Sequence, residues 1–205
     1  MAVGAESRGG GVVLAIGLVW LGLALALGAS GRLQALRPPT PQLVLMGLTV
    51  AVLTVGAAVP ALRAWALSAD LRGLVALHLT RFVGIYFLVL YRRGELPYAF
   101  AVPGGWGDIL VAGLALCLLI GGRPISRGRR RAYAAWNVLG LVDILLVVAT
   151  AARLALANPE SMAALLRLPL SLLPTYLVPL IIASHVLIAV RLAKATGELR
   201  PREAA

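Results

Sequence analysis

Hydrophobic positions in this chain come in long unbroken runs, separated by short polar breaks, rather than in alternation. Six runs stand out, at 12–28, 43–60, 71–91, 106–120, 132–157 and 170–193. A helix crossing the hydrocarbon core needs about 20 apolar residues, whereas a barrel strand needs about 9–11 in alternation. The pattern therefore predicts an all-α fold, a polytopic transmembrane bundle of six helices, with residues 1–205 forming a single transmembrane domain. Turn formers punctuate the breaks: Arg37-Pro38-Pro39-Thr40-Pro41, Gly104-Gly105, Gly121-Gly122-Arg123-Pro124 and Asn158-Pro159. Residues 160–167 read as a short interfacial helix.

The first run admits a second reading. Arg8 ahead of it and the small residues Ala26, Gly28 and Ala29 near its end also fit a cleavable signal peptide, which leaves five helices.

Composition agrees with the pattern: 60% of residues are hydrophobic and 13% charged, against roughly 25% charged in soluble domains. The net charge of +11 raises nucleic acid as a partner, but 18 of the 19 basic residues, all except Arg81, are assigned to the connections between apolar runs, which argues against it. They serve better as a topology signal and as contacts for a lipid bilayer with anionic headgroups, above all at Arg127, Arg129, Arg130 and Arg131. For six helices, one set of connections holds twelve basic residues (Arg8, Arg63, Arg72, Arg123, Arg127, Arg129, Arg130, Arg131, Arg191, Lys194, Arg200, Arg202) and the other six (Arg32, Arg37, Arg92, Arg93, Arg153, Arg167). Both termini are thus expected to be cytoplasmic, in the cytoplasmic (inner) membrane of a bacterium.

The lone cysteine, Cys117, has no partner for an intrachain disulfide. The one lysine, Lys194, lies near the C-terminus, which excludes a retinal Schiff base buried mid-helix. The chain has no phosphate-binding glycine loop, nucleophile elbow, His-Glu-x-x-His or paired Cys-x-x-Cys, so nucleotide-driven, hydrolytic and metal chemistry lose support.

Ionisable groups inside the hydrocarbon core cost about 2.5–3.5 kcal/mol each and usually have partners. Five occur: His78, Arg81, Asp108, Asp143 and His185. At 1.5 Å per residue, Arg81 and Asp143 both lie roughly 15 Å from the cytoplasmic face, which predicts a buried ion pair. His78 and His185 share a level roughly 10–12 Å deep. Asp108 is placed just inside the outer boundary beside Trp106, Tyr98 and Glu95, as a cap or first-turn acid, with Gly105 and Gly107 in a tight turn. Asn137 reads as an interhelical hydrogen-bonder. Pro174 and Pro179 are expected to kink the sixth helix and free the carbonyls of Leu170 and Thr175. Trp65, Trp106, Trp136, Tyr91, Tyr98 and Tyr133 read as interfacial anchors.

One further pattern is Arg81-x-x-Gly84-x-x-Phe87-Leu88, Gly94-x-Leu96-Pro97-x-x-Phe100-Ala101, Gly105-x-Gly107-Asp108, Trp136-Asn137-x-x-Gly140-x-x-Asp143, Pro174-Thr175-x-Leu177-Val178-Pro179 and His185. It resembles a family of small, uncharacterised multi-pass bacterial membrane proteins. The resemblance covers about half the chain, implies the same fold and draws attention to Arg81, Asp108, Asp143 and His185, but brings no established activity. His78 lies outside it.

Four functions fit these residues, in decreasing order. The first is a carrier or channel-like protein for a small solute, ion or proton, with Arg81 and Asp143 as its site, His185 as a protonatable partner, Asn137 and Asp108 beside it and no cofactor. A membrane scaffold, in which the ion pair locks packing against a membrane-protein partner or a second copy, follows. The third is a redox protein holding a b-type haem between His78 and His185. An intramembrane enzyme acting on lipids near Asp108 comes last.

Overall fold

A computed structural model describes residues 2–197, with side chains described from 10 to 194; Arg8, Arg200 and Arg202, counted above on the cytoplasmic side, therefore lie outside the described side chains. Regular structure among the described residues is entirely helical. Helix α1 spans Ala2–Ala29, α2 Thr40–Ala58, α3 Pro60–Ser68, α4 Leu71–Leu77, α5 Gly84–Arg92, α6 Tyr98–Gly121, α7 Arg127–Ala157 and α8 Val178–Gly197. A 3-10 segment, His78–Val83, joins α4 to α5 in one rod. A π turn, Leu173–Leu177, leads into α8. Among the described residues six rods are long and apolar enough to cross a membrane: Gly10–Ala29, Thr40–Ala58, Leu71–Arg92, Tyr98–Gly121, Arg127–Ala157 and Leu173–Lys194.

The last four rods form a ring, with α5 against α6, α6 against α7, α7 against α8, and α8 back against α4. Helix α2 packs on α8 outside the ring. Helix α1 is outermost and touches α3 and the π turn. Two apolar clusters close the ring's ends. Phe87, Leu90, Leu96, Phe100, Met162 and Leu170 fill one, while Val75, Val111, Tyr133, Trp136 and Ile188 fill the other. Between them lies a buried polar layer.

Two expectations about local structure are corrected. Most of the stretch 61–70, read as a connection, belongs to α3, which starts at Pro60, the last residue of the second predicted run, where a missing N–H costs nothing. More consequentially, Gly104-Gly105 is not a turn, because α6 already begins at Tyr98 and runs through both residues and Pro103. These glycines mark close approach instead. A Cβ on Gly105 would lie 2.8 Å from the Gly84 carbonyl oxygen, and one on Gly84 would lie 2.9 Å from the Asp108 Cβ. Rods α5 and α6 therefore cross backbone to backbone, as small residues allow in membrane bundles.

Residues 160–167 do form a short helix, the 3-10 segment Pro159–Leu166. Tyr133 and Trp136 are not surface anchors. They are 0% and 4% exposed, and each spends its polar atom on a backbone carbonyl, Tyr133 Oη on Gly122 (2.9 Å) and Trp136 Nε1 on Val111 (3.0 Å). Trp106, Tyr98 and Tyr91 remain exposed.

Candidate functional site

The Gly84–Gly105 crossing sets the site. Arg81 lies three residues before Gly84 and Asp108 three after Gly105, and the two helices run in opposite directions. One turn from the crossing the two side chains therefore meet, and Arg81 Nε donates to Asp108 Oδ1 at 2.6 Å. Asp108 consequently sits near the middle of its rod, 3% exposed, and neither at the outer boundary nor in a cap. The third rod changes winding here. At about three residues per turn, His78 and Arg81 stack on one face of the 3-10 segment.

Helix α7 brings the second acid. Asn137, Gly140 and Asp143 recur at three-residue intervals and face the ring's interior. Arg81 Nη1 donates to the Gly140 carbonyl at 2.9 Å, and Nη2 pairs with Asp143 Oδ2. One guanidinium, 1% exposed, thus holds two carboxylates, whose side chains are 4% (Asp108) and 20% (Asp143) exposed. The cluster carries two acids against one base. With both acids ionised, one negative charge is left over.

The two histidines lie a turn away, each 0% exposed, with ring centroids 4.2 Å apart. Their tautomers follow from their neighbours. Asn137 Nδ2 donates to the His185 carbonyl (3.1 Å), which fixes the amide's orientation and turns Oδ1 to His185 Nδ1 at 2.9 Å. An amide oxygen only accepts, so Nδ1 carries the hydrogen. Ser184 Oγ donates its one hydrogen to the Ile181 carbonyl (2.8 Å) and so accepts from His78 Nε2 at 3.0 Å. The other ring nitrogens, His78 Nδ1 and His185 Nε2, are buried with no hydrogen-bond partner among the described residues. Gly140 leaves the room for the second of them, since a Cβ there would lie 3.0 Å from His185 Nε2.

A haem does not fit between His78 and His185. Axial ligation places the porphyrin between the two imidazoles, and rings in contact at 4.2 Å and tilted by 50° leave no slot for it. The proline-freed carbonyls are also not open to a guest. The Leu170 carbonyl accepts from the Leu173 N–H at 2.9 Å. The Thr175 carbonyl accepts the indole N–H of Trp20, reaching over from α1, at 2.9 Å.

Two cavities approach the polar layer from opposite ends. At the end where α7 begins and α8 finishes, a crevice of ≈ 330 Å³ lined by Arg130, Arg131 and Leu192 stops at Asn137. From the other end an apolar cleft of ≈ 500 Å³ runs between α2 and α7 and reaches Asp108. Sequence reasoning missed both, because a cavity is set by helix order around the ring. Ser184 carried no signal in the sequence either, and Gly84, Gly105 and Gly140 stood in the family pattern without the close contacts they admit.

The family described as a domain of unknown function (DUF8737) matches residues 38–193, which include every residue of this site. No curated protein and no solved structure matches the chain.

Proposed function

The chain belongs to the DUF8737 family, and from the site it carries we propose that it is a membrane-spanning carrier for a small solute or ion, coupled to a proton held by Arg81, Asp108 and Asp143. The observation that carries this reading is the stoichiometry of the buried cluster, two carboxylates on one guanidinium. An unbalanced charge in a low-dielectric interior costs several kcal/mol, and one proton shared across the carboxylates cancels it. Asp143, the more exposed acid, is the exchanging group. His185 Nε2, unpartnered and close to Gly140, is the adjoining acceptor.

Cavities reaching the layer from both ends support movement through the bundle rather than a static lock. The π turn Leu173–Leu177, with Pro174 inside it and Pro179 just beyond, is the place for the sixth rod to bend. On the distribution of basic residues, both termini and the crevice face the cytoplasm.

A packing lock is the second reading, and the glycine contacts around the cluster favour it. Proteoliposomes with an imposed pH gradient separate the two. The carrier reading expects gradient-driven solute flux that Asp143→Asn abolishes. Wild type and Asp143→Asn alike in showing no flux with any solute tested would leave the packing lock.

A further inference from the structure

The apolar cleft answers a question that the cluster's charge raises: what besides a proton balances it. Its walls come from Leu45 and Met46 of α2, Val148 and Ala152 of α7, and Met162 of the 3-10 segment Pro159–Leu166, and among the described residues its one ionisable lining residue is Asp108. A volume of ≈ 500 Å³ lies within the range, about 300–1,000 Å³, of sites for small organic ligands. Such sites are mostly apolar, with a few polar groups that orient the guest.

Arg81 and Asp143 are the charged groups beside Asp108, and His78 from the third rod and His185 from α8 are the titratable groups that face Arg81 among the described residues. A second N–H on His78 Nδ1 or His185 Nε2 would be buried with no acceptor in reach, which keeps both rings neutral, so the cluster's balance is one negative charge at the floor of an apolar cavity. An anion there meets like charge, and a neutral polar solute finds few hydrogen-bonding groups. A hydrophobic body with a single positive charge matches both walls and floor.

We propose that this cleft binds lipophilic monocations, which enter between α2 and α7 and compete with the proton for the negative charge at Asp108 and Asp143. The inference rests on the carrier reading and names its substrate class. Binding the cation releases the shared proton, so one positive charge replaces another and the buried charge stays balanced.

The test is equilibrium dialysis of the detergent-purified full chain with tetraphenylphosphonium, using tetraphenylborate as a probe of like shape and opposite charge. Tetraphenylphosphonium is expected to bind, tetraphenylborate is not, and affinity should fall by roughly tenfold per pH unit on the acid side, as competition with one proton requires. Asp108→Asn should weaken binding by roughly tenfold or more, as expected for a buried charge left without its partner. Ala152→Trp, which fills the cleft without touching the cluster, should do the same and guards against misfolding of the first variant. Equal binding of the two probes, or unchanged affinity in both variants, would overturn the proposal. Gradient-driven flux of other solutes that Asp143→Asn abolishes, without tetraphenylphosphonium binding, would refute this substrate class and leave the carrier reading standing. Absence of both would remove the carrier reading as well.

Discussion

Replacing Arg81 by Met removes a guanidinium that donates to Asp108 Oδ1 (2.6 Å) and to the Gly140 carbonyl (2.9 Å) and pairs with Asp143, while keeping a side chain of similar length. Two carboxylates are then abandoned in the ring. Breaking a buried ion pair from one side costs about 3–5 kcal/mol, because the surviving charge keeps its desolvation penalty without its partner. Asp143 is 20% exposed and recovers some hydration, and Asp108, at 4%, recovers almost none. The expected loss is therefore about 3–5 kcal/mol rather than twice that. The compensating variant is Arg81→Met with Asp108→Asn and Asp143→Asn, which is neutral throughout and should recover most of the loss. Either Asp→Asn change alone leaves a balanced one-to-one pair and should cost about 1 kcal/mol or less, although it removes the proposed proton site. Unfolding of each variant in mixed detergent micelles, followed by helical circular dichroism, gives the four values. An Arg81→Met protein as stable as wild type, or a triple variant no better than Arg81→Met, would refute the electrostatic reasoning.

Gly140→Ala puts a Cβ 2.7 Å from His185 Cε1 and should cost about 1–3 kcal/mol, read as a lowered melting temperature. Trp20→Phe strands the Thr175 carbonyl and should cost about 1–3 kcal/mol; unchanged stability would mean that α1 does not hold the π turn. Nitrogen-15 NMR of labelled histidine should find the hydrogen on Nδ1 of His185 and on Nε2 of His78, and Asn137→Leu should remove the first preference while sparing the second.

The six rods were legible because a run of apolar residues long enough to span hydrocarbon has few other uses. Arg81 beside Asp143 was also legible, since rise per residue fixes depth and unpaired charges at equal depth seek each other. Asp108 was misplaced for an instructive reason. Pro103-Gly104-Gly105 has the composition of a break, yet here the glycines serve a backbone crossing with α5, a property of the partner helix that α6's own sequence does not carry. The same limit hid the Trp20 bond to the Thr175 carbonyl, which joins residues 155 apart in the chain. The 3-10 winding that aligns His78 with Arg81 has no compositional marker.

The proton proposed to be shared by the two carboxylates on Arg81 is read directly by infrared spectroscopy of the purified protein at neutral pH. A shared proton predicts a carbonyl stretch from a buried carboxylic acid in the wild type that disappears in both Asp108→Asn and Asp143→Asn, each of which leaves a charge-balanced pair. No such band in the wild type, or a band unchanged in both variants, would contradict it.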